Sequence, residues 1–302
     1  TGARKRVVRP RAQLNFSENE PLNGFRIQIP SMASSATCPA FLTGMFTIGK
    51  GDAAGAGFAI DRHLTTTVSP KASGRTTITI NGVESPSQVS KAVLRRYAEL
   101  MKGRLGLLDI RHEAQVPIGF GLGTSAAGAL SLSLALNEFL GCGLNRGETV
   151  KIAHDADVEC GTGLSGVDAA AIGGSLARRS IGEGPVKLPF EEKELEIAFY
   201  SPIRTSSVIG PDEWKKKVNK AGESSLAMLF ANKSWDGFVS ASRHFTTESG
   251  LGIWCSKEME TNKRASMAML GQTLFSDTPL KLSRRPMLSL KAKTYEGGAR
   301  LI

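Results

Sequence analysis

Cysteine, aromatic residues and long hydrophobic runs are all scarce in this 302-residue chain, and each scarcity excludes a class of protein. The four cysteines, Cys38, Cys142, Cys160 and Cys255, form no CxxC pair and no metal-ligand spacing, which excludes a structural zinc site. They indicate reduced thiols in a cytoplasmic protein. No stretch approaches about eighteen consecutive apolar residues, so no membrane-spanning helix is expected.

The formal net charge of +10 is concentrated at the two ends of the chain. Residues 1–31 contain six basic and two acidic residues, and residues 280–302 contain six basic and one acidic. Aromatic residues, 6% of the chain, do not alternate with these charges as base-stacking surfaces require. The charge therefore favours a solvated basic surface or the attraction of an anionic substrate, and neither a nucleic-acid nor a membrane partner is expected.

Residues 1–32 differ in character from the rest of the chain. They show no hydrophobic period, and Pro10, Pro21 and Pro30 interrupt them. We expect residues 1–32 to be a basic, disordered extension, with Met32 as the physiological start. The remainder is expected to divide into an N-terminal domain, residues 33–190, and a C-terminal domain, residues 191–302.

Hydrophobic periodicity predicts a mixture of helices and strands after Met32. Strands are expected over residues 40–48, 57–68, 76–80, 107–116 and 194–200, with a tight hairpin turn at Asn81-Gly82. Helices are expected over residues 90–102, 124–140, 146–160, 224–239 and 264–275.

The most informative segment is glycine-rich: residues 117–128 read Pro-Ile-Gly-Phe-Gly-Leu-Gly-Thr-Ser-Ala-Ala-Gly. Glycine at 119, 121 and 123 lets backbone N–H groups approach phosphate oxygens closely. Thr124 and Ser125 stand where a helix is predicted to begin, so either hydroxyl can cap it, and the free N–H groups there favour the same anion. The alternative is a glycine-rich corner that only tightens a strand-to-helix connection.

Two other kinds of phosphate-binding loop are excluded. A Walker A loop ends in Gly-Lys-Ser/Thr, and no lysine occurs in residues 117–128. A dinucleotide-binding turn follows a continuously apolar parallel strand. The residues before this loop, 109–117, are half polar and end in Pro117.

The loop closely resembles the Pro-x-x-x-Gly-Leu-Gly-Ser-Ser-Ala signature of the GHMP kinase superfamily and, within it, of archaeal pantoate kinases. The likeness continues through residues 129–137, 152–164, 173–178 and 266–275. It implies an α+β, two-lobed fold in which the N-terminal lobe carries the phosphate loop and the C-terminal lobe is ferredoxin-like. It implies phosphorylation of pantoate by ATP to 4-phosphopantoate, in archaeal coenzyme A biosynthesis. A homodimer is one candidate assembly.

The resemblance also implies which residues bind ATP and magnesium. ATP would be held by Pro117, Gly119, Gly121, Leu122, Gly123, Thr124, Ser125 and Ala126. Magnesium would be bound by Ser125 and by Asp157, where the family usually has glutamate, with Glu159 as the alternative carboxylate.

The candidate catalytic residues are Asp168 and Arg178. Pantoate kinases read Thr-Gly-Leu-Gly-Asp-Val, whereas this chain has Gly166 at the aspartate position and continues Ser-Gly-Val-Asp168. This segment resembles the Ser-Gly-x-Asp motif of mevalonate kinases, whose aspartate is catalytic. Either Asp168 takes over the role, or the base is lost. Arg178, or Arg179 beside it, would bind the acceptor carboxylate or a phosphate.

Two alternatives to pantoate phosphorylation stay open. One is another GHMP kinase, of the mevalonate or homoserine type, that shares the loop and differs in its acceptor. The other is a nucleotide-binding protein that has lost catalysis, because Gly166 stands where the family has its aspartate.

We expect a variant without residues 1–31 to keep the melting temperature and the activity of the full chain. The reason is that the family-like sequence begins only after these residues. Thermal unfolding and turnover of the two forms, measured side by side, check this. A large loss of either would show that the extension belongs to the functional protein.

Overall fold

The computed structural model describes residues 32–203 and 212–302. The predicted extension, apart from Met32, lies outside these residues. Within the described part, no helix is both long enough and apolar enough to cross a membrane.

An eight-stranded sheet forms the first lobe. Strands β1 (Ser34–Ile48) and β2 (Ala53–Pro70) are long antiparallel partners. The other strands are β3 (Thr77–Ile80), β4 (Val83–Glu84), β5 (Leu108–Ala114), β6 (Ser175–Arg178), β7 (Val186–Lys187) and β12 (Arg300–Leu301). The main strand order is β12-β1-β2-β5-β3-β4. In addition, β6 pairs with β2, and β7 pairs with β6. Among the strands of residues 32–203 and 212–302, only β3 and β5 are parallel neighbours.

Most of the strands predicted from alternation are present here. The hairpin turn between β3 and β4 is confirmed as well, because Asn81 and Gly82 both have positive φ, at 49° and 79°. Two consecutive left-handed residues match the right-handed twist of the flanking strands, which is why Asn-Gly is favoured at this place.

Four helices belong to the first lobe: α1 (Gln88–Leu100), α2 (Thr124–Leu140), α3 (Arg146–Glu159) and α4 (Gly166–Ile172). Helix α2 packs against β1, β2, α1 and α3, and thirteen of its seventeen residues are buried. Burial on all sides explains why its sequence is apolar all round rather than amphipathic. It ends at Gly141, whose left-handed conformation closes the last turn.

The second lobe contains an antiparallel sheet of four strands in the order β11-β8-β10-β9. The strands are β8 (Glu194–Pro202), β9 (Ser266–Met267), β10 (Gly271–Ser276) and β11 (Leu288–Lys293), and the helices are α5 (Asp212–Ala231), α6 (Trp235–Glu248) and α7 (Ser256–Thr261). Helices α5 and α6 both pack against β1 of the first lobe. Phe58 of β2 thus shares one hydrophobic core with Phe238 and Phe275.

Two helix predictions in the second lobe are wrong. Residues 224–239 do not form one helix, because residues 232–234 are not helical. Ser234 caps a new helix by accepting from the N–H of Gly237. Residues 264–275 form β9, β10 and their connection instead of a helix. Met267, Ala268 and Met269 are all buried, and a short run that is buried throughout has the same apolar character in a strand as in a helix.

The last strand of the chain returns to the first lobe. Ala36 and Thr37 of β1 pair with Leu301 and Arg300 of β12. The domain boundary between residues 190 and 191 stays a prediction. Strand β12 follows this boundary in sequence but belongs to the sheet of the first lobe.

Candidate active site

A cavity of about 1050 Å³ opens beside the glycine-rich loop. Its walls come from that loop, from β1 and β2, from the start of α4, and from Pro202, Ile203, Met269 and Leu270 of the second lobe. The cavity lies where the two lobes meet, which is a common position for substrate sites.

The loop is held from behind by its carbonyl groups. The Thr273 hydroxyl donates to the carbonyl of Phe120 at 2.8 Å, and the N–H of Phe41 donates to the carbonyl of Leu122 at 3.1 Å. By contrast, the N–H groups of residues 121–126 have no acceptor anywhere in residues 32–203 and 212–302. A loop whose acceptors are used and whose donors are free is suited to bind an anion.

The glycines of the loop have two separate reasons to be glycine. Gly119, Gly121 and Gly123 all have left-handed backbone, with φ of 85°, 82° and 64°. Gly121 also lies against the second lobe, since a Cβ there would stand 2.8 Å from the Gly271 nitrogen. A Cβ on Gly271 would in turn stand 2.2 Å from the carbonyl carbon of Phe120. This close approach of the two lobes was not foreseen from the sequence.

Six of the eight predicted ATP-binding residues lie in the cavity wall: Gly119, Gly121, Gly123, Thr124, Ser125 and Ala126. Pro117 and Leu122 are not in the wall; Leu122 is fully buried in the core and supports the loop from inside. The predicted hydroxyl cap of α2 is wrong. The cap residue is Gly123, it makes no side-chain cap bond, and the Ser125 hydroxyl is engaged elsewhere.

Ser125 and Asp157 are in direct contact. The Ser125 hydroxyl donates to Asp157 Oδ1 at 2.5 Å, and the Thr162 hydroxyl donates to the same oxygen at 2.6 Å. Asp157 is 2% exposed, and its Oδ2 fits only because residue 163 is glycine, where a Cβ would stand 2.1 Å away. Burial raises the pKa of the Asp157 carboxyl above its ordinary value, and the hydroxyl donors and His154 oppose that shift.

The arrangement around Ser125 and Asp157 fits a magnesium ion that keeps phosphate oxygens and water as its other ligands. One hydroxyl and one carboxylate lie beside the free N–H groups of the loop. Within the part of the chain that the structure describes, no three His, Cys, Asp or Glu side chains converge on one point. The residues therefore fit a nucleotide-bound magnesium ion rather than an all-protein cage.

Glu159 does not reach this position, and its prediction as the alternative metal ligand is corrected. Its carboxylate lies on the outer surface of α3, where it pairs with Arg95 and, at 2.8 Å, with Arg96. These two arginines lower the pKa of Glu159. Residues two apart on a helix point in different directions, which is why Asp157 faces the cavity and Glu159 faces away.

The second predicted pair, Asp168 and Arg178, also meets in the structure. Arg178 lies in the cavity wall with its side chain 13% exposed, and its Nη2 is 3.5 Å from Asp168 Oδ2. Asp168 stands in the first turn of α4, and the same Oδ2 atom lies 4.0 Å from His154 Nδ1. Of this pair only Arg178 lines the cavity; Asp168, with its side chain 34% exposed, lies outside the wall and reaches it through Arg178. Arg179 instead stacks on the ring of Phe230.

Two residues near the cavity were missed from the sequence. Asp52, in the turn between β1 and β2, accepts from Arg178 Nη1 at 2.6 Å. His112 lies in the wall and is held between Thr66 and Ser90, at 2.8 and 3.0 Å. Burial lowers the pKa of His112 to about 4, so the ring is neutral near pH 7. Neither residue stands in a motif, so only the contacts across the fold identify them.

Known proteins resemble this chain at three levels. Residues 88–174 match the family described as GHMP kinases N terminal domain. A pantoate kinase from Methanocaldococcus jannaschii is 31% identical over 251 residues, covering 78% of this chain and 90% of that protein. A mevalonate kinase from Methanothermobacter thermautotrophicus is 38% identical over 116 residues, covering 37% of this chain and 38% of that protein. The solved structure described as "Phosphotransferase related to CoA biosynthesis pathway" shares 21% identity and a TM-score of 0.74, over 89% of this chain and 98% of that one.

Proposed function

Because the chain belongs to the pantoate kinase family of the GHMP kinases, we propose that it transfers the γ-phosphoryl group of ATP to pantoate, giving 4-phosphopantoate. One observation carries the proposal: the loop with its free N–H groups, the Ser125–Asp157 pair and Arg178 all line one cavity. These are the groups that phosphoryl transfer requires, since the protein mainly positions the reactants and neutralises charge.

In this proposal the loop binds the phosphates of ATP. The N–H groups of Gly121 and of residues 123–126 donate to phosphate oxygens, and the positive end of α2 points at the same charge. Ser125 and Asp157 would hold the magnesium ion. When bound, that ion neutralises the charge that develops on the phosphate oxygens.

Asp168 and Arg178 act on the acceptor. Arg178 binds the acceptor carboxylate or a phosphate through the N–H groups that it does not use on Asp52. Asp168 orients the acceptor hydroxyl and takes its proton, which is the part of a catalytic base. The apolar side chains of Phe41, Met269 and Leu270 in the wall suit the branched carbon skeleton of pantoate. We also propose that the enzyme works in the cytoplasm.

A coupled ADP-release assay with pantoate, mevalonate and homoserine tests the proposal. We expect pantoate to give the highest kcat/KM. Turnover of mevalonate or homoserine alone would assign the chain to another GHMP activity, in keeping with the shorter match to a mevalonate kinase. Binding of ATP without phosphorylation of any acceptor would instead mean that catalysis has been lost.

Replacing Ser125 by Ala is expected to lower kcat by more than about tenfold while the protein stays folded, because the hydroxyl lies beside the phosphates and the metal. The matched variant is Thr162→Ala, which removes the other hydroxyl that donates to the same Asp157 oxygen. If Ser125 acted only by holding Asp157, the two variants would lose the same amount. We expect Ser125→Ala to lose clearly more, and unchanged kinetics would return the loop to a structural role.

A further inference from the structure

The turn between β1 and β2 places a carboxylate against the arginine of the cavity. Asp52 Oδ1 accepts from Arg178 Nη1 at 2.6 Å, and the same Nη1 lies 3.3 Å from the Ala53 carbonyl. Arg178 is 126 residues away in sequence, on strand β6. The ion pair thus joins the start of β2 to the strand that pairs beside it.

Asp52 is itself held in place. Its Oδ1 accepts from the N–H of Ala53 at 2.8 Å and lies 3.3 Å from the Ser165 hydroxyl oxygen. Ser165 precedes α4 directly and also bonds both backbone groups of Ala53, at 3.0 and 2.9 Å. A carboxylate with several donors has little freedom to rotate, so it can fix the direction of the guanidinium it binds.

The guanidinium of Arg178 is consequently divided between two carboxylates. Nη1 is used by Asp52, at hydrogen-bond distance, and Nη2 points toward Asp168, at 3.5 Å. Since the guanidinium is rigid and planar, holding Nη1 between Asp52 and the Ala53 carbonyl limits the directions in which the other N–H groups can point. Without Asp52, Arg178 would be free to close onto Asp168 and to engage the base.

We propose that Asp52 is a positioning residue: it orients Arg178 so that its remaining N–H groups face the acceptor and Asp168 stays available for the hydroxyl. The proposal rests on the proposed kinase function. It differs from a purely structural role, in which the Asp52–Arg178 pair only ties the turn to β6.

A double-mutant cycle with Asp52→Asn and Arg178→Lys separates these roles. Asn keeps the shape of Asp52 and removes its charge. We expect Asp52→Asn to lower kcat/KM for the acceptor at least about tenfold and to change the dissociation constant of ADP less than about twofold. If Asp52 acts through Arg178, the double variant should be no worse than Arg178→Lys alone, within about threefold. Losses that multiply would overturn the proposal, as would Asp52→Asn with unchanged kcat/KM.

Stability and a second carboxylate serve as controls. Asp61→Asn removes a β2 carboxylate that pairs with Arg62 on the surface, and it should leave kcat/KM unchanged. Asp52→Glu keeps the charge and should recover part of the activity that Asp52→Asn loses. Asp52 would have the structural role if Asp52→Asn lost activity together with a large fall in melting temperature, and if Asp52→Glu did not recover that activity.

The cycle is run with whichever acceptor the wild-type protein phosphorylates, so failure with pantoate alone does not decide it. A second measurement does not depend on turnover and so applies even if the protein phosphorylates none of these acceptors. Phenylglyoxal modifies accessible arginines, and the modification of Arg178 is followed by peptide mass spectrometry. We expect faster modification of Arg178 in Asp52→Asn than in the wild type, because the guanidinium is released. An equal rate would show that Asp52 does not hold Arg178, whatever reaction the protein catalyses.

Discussion

Replacing Asp168 by Asn is expected to reduce phosphorylation by about 10²- to 10⁴-fold, the usual contribution of a general base. Asparagine keeps the size of the side chain and can still face Arg178, but it cannot accept the proton of the acceptor hydroxyl. Nucleotide affinity should stay nearly unchanged, because the proposed phosphate-binding groups, the loop and the start of α2, belong to a different element from Asp168. The measurements are kcat by ADP release and the dissociation constant of ATP by calorimetry.

Asp155→Asn is the matched control for Asp168. Asp155 is a partly exposed aspartate of α3 that pairs with Lys151 at 2.6 Å, outside the cavity. Its replacement should leave kcat and ATP affinity as they are. Near-native turnover of Asp168→Asn would show that Asp168 is not the base, and would leave the chain as a binding protein or with another base.

A swap variant asks whether the position that the pantoate kinases use is still open. Gly166 lies in the cavity wall, and a Cβ there would stand 3.3 Å from the Cβ of Ala126. The space is tight but requires only a small movement of a neighbouring methyl group. We therefore expect Gly166→Asp to restore part of the activity of Asp168→Ala.

The second large effect is expected for Asp157→Asn, which should lower kcat by about 10²- to 10³-fold, as the loss of one preorganised electrostatic contact typically does. In the proposed site, the negative charge of Asp157 would bind the magnesium ion, and Asn lacks that charge. Titration of activity with magnesium should show a higher requirement or no response. Magnesium should also raise the nucleotide affinity of the variant less than it raises that of the wild-type protein.

The folded state of Asp157→Asn should be at least as stable as that of the wild type. Burial disfavours the charged form of Asp157, and the amide oxygen of Asn still accepts from Ser125 and Thr162. A strong fall in melting temperature would mean that the carboxylate is a structural element. Glu159→Gln is the control, since Glu159 pairs only with surface arginines and should leave magnesium-dependent turnover unchanged. Equal losses in both variants would contradict the assignment of Asp157.

Local patterns were sufficient wherever neighbouring residues in sequence decide the structure. The long apolar run of α2, the alternation of β1, β2 and β5 and the Asn81-Gly82 turn were all predicted correctly. The same patterns failed at residues 264–275, most of which are buried in β9, β10 and their connection. Periodicity distinguishes helix from strand only when one face meets water.

The sequence by itself determined the chemistry of the site: a glycine-rich loop before an apolar helix, and carboxylates and an arginine at positions that match a kinase family. Only the tertiary structure decided which of them meet. It brings Ser125 to Asp157 and turns Glu159 away, it sets Gly121 against Gly271 of the other lobe, and it places Asp52 on Arg178. The physical reason is that these contacts join residues distant in sequence, and no local pattern records the direction of a side chain across such a distance.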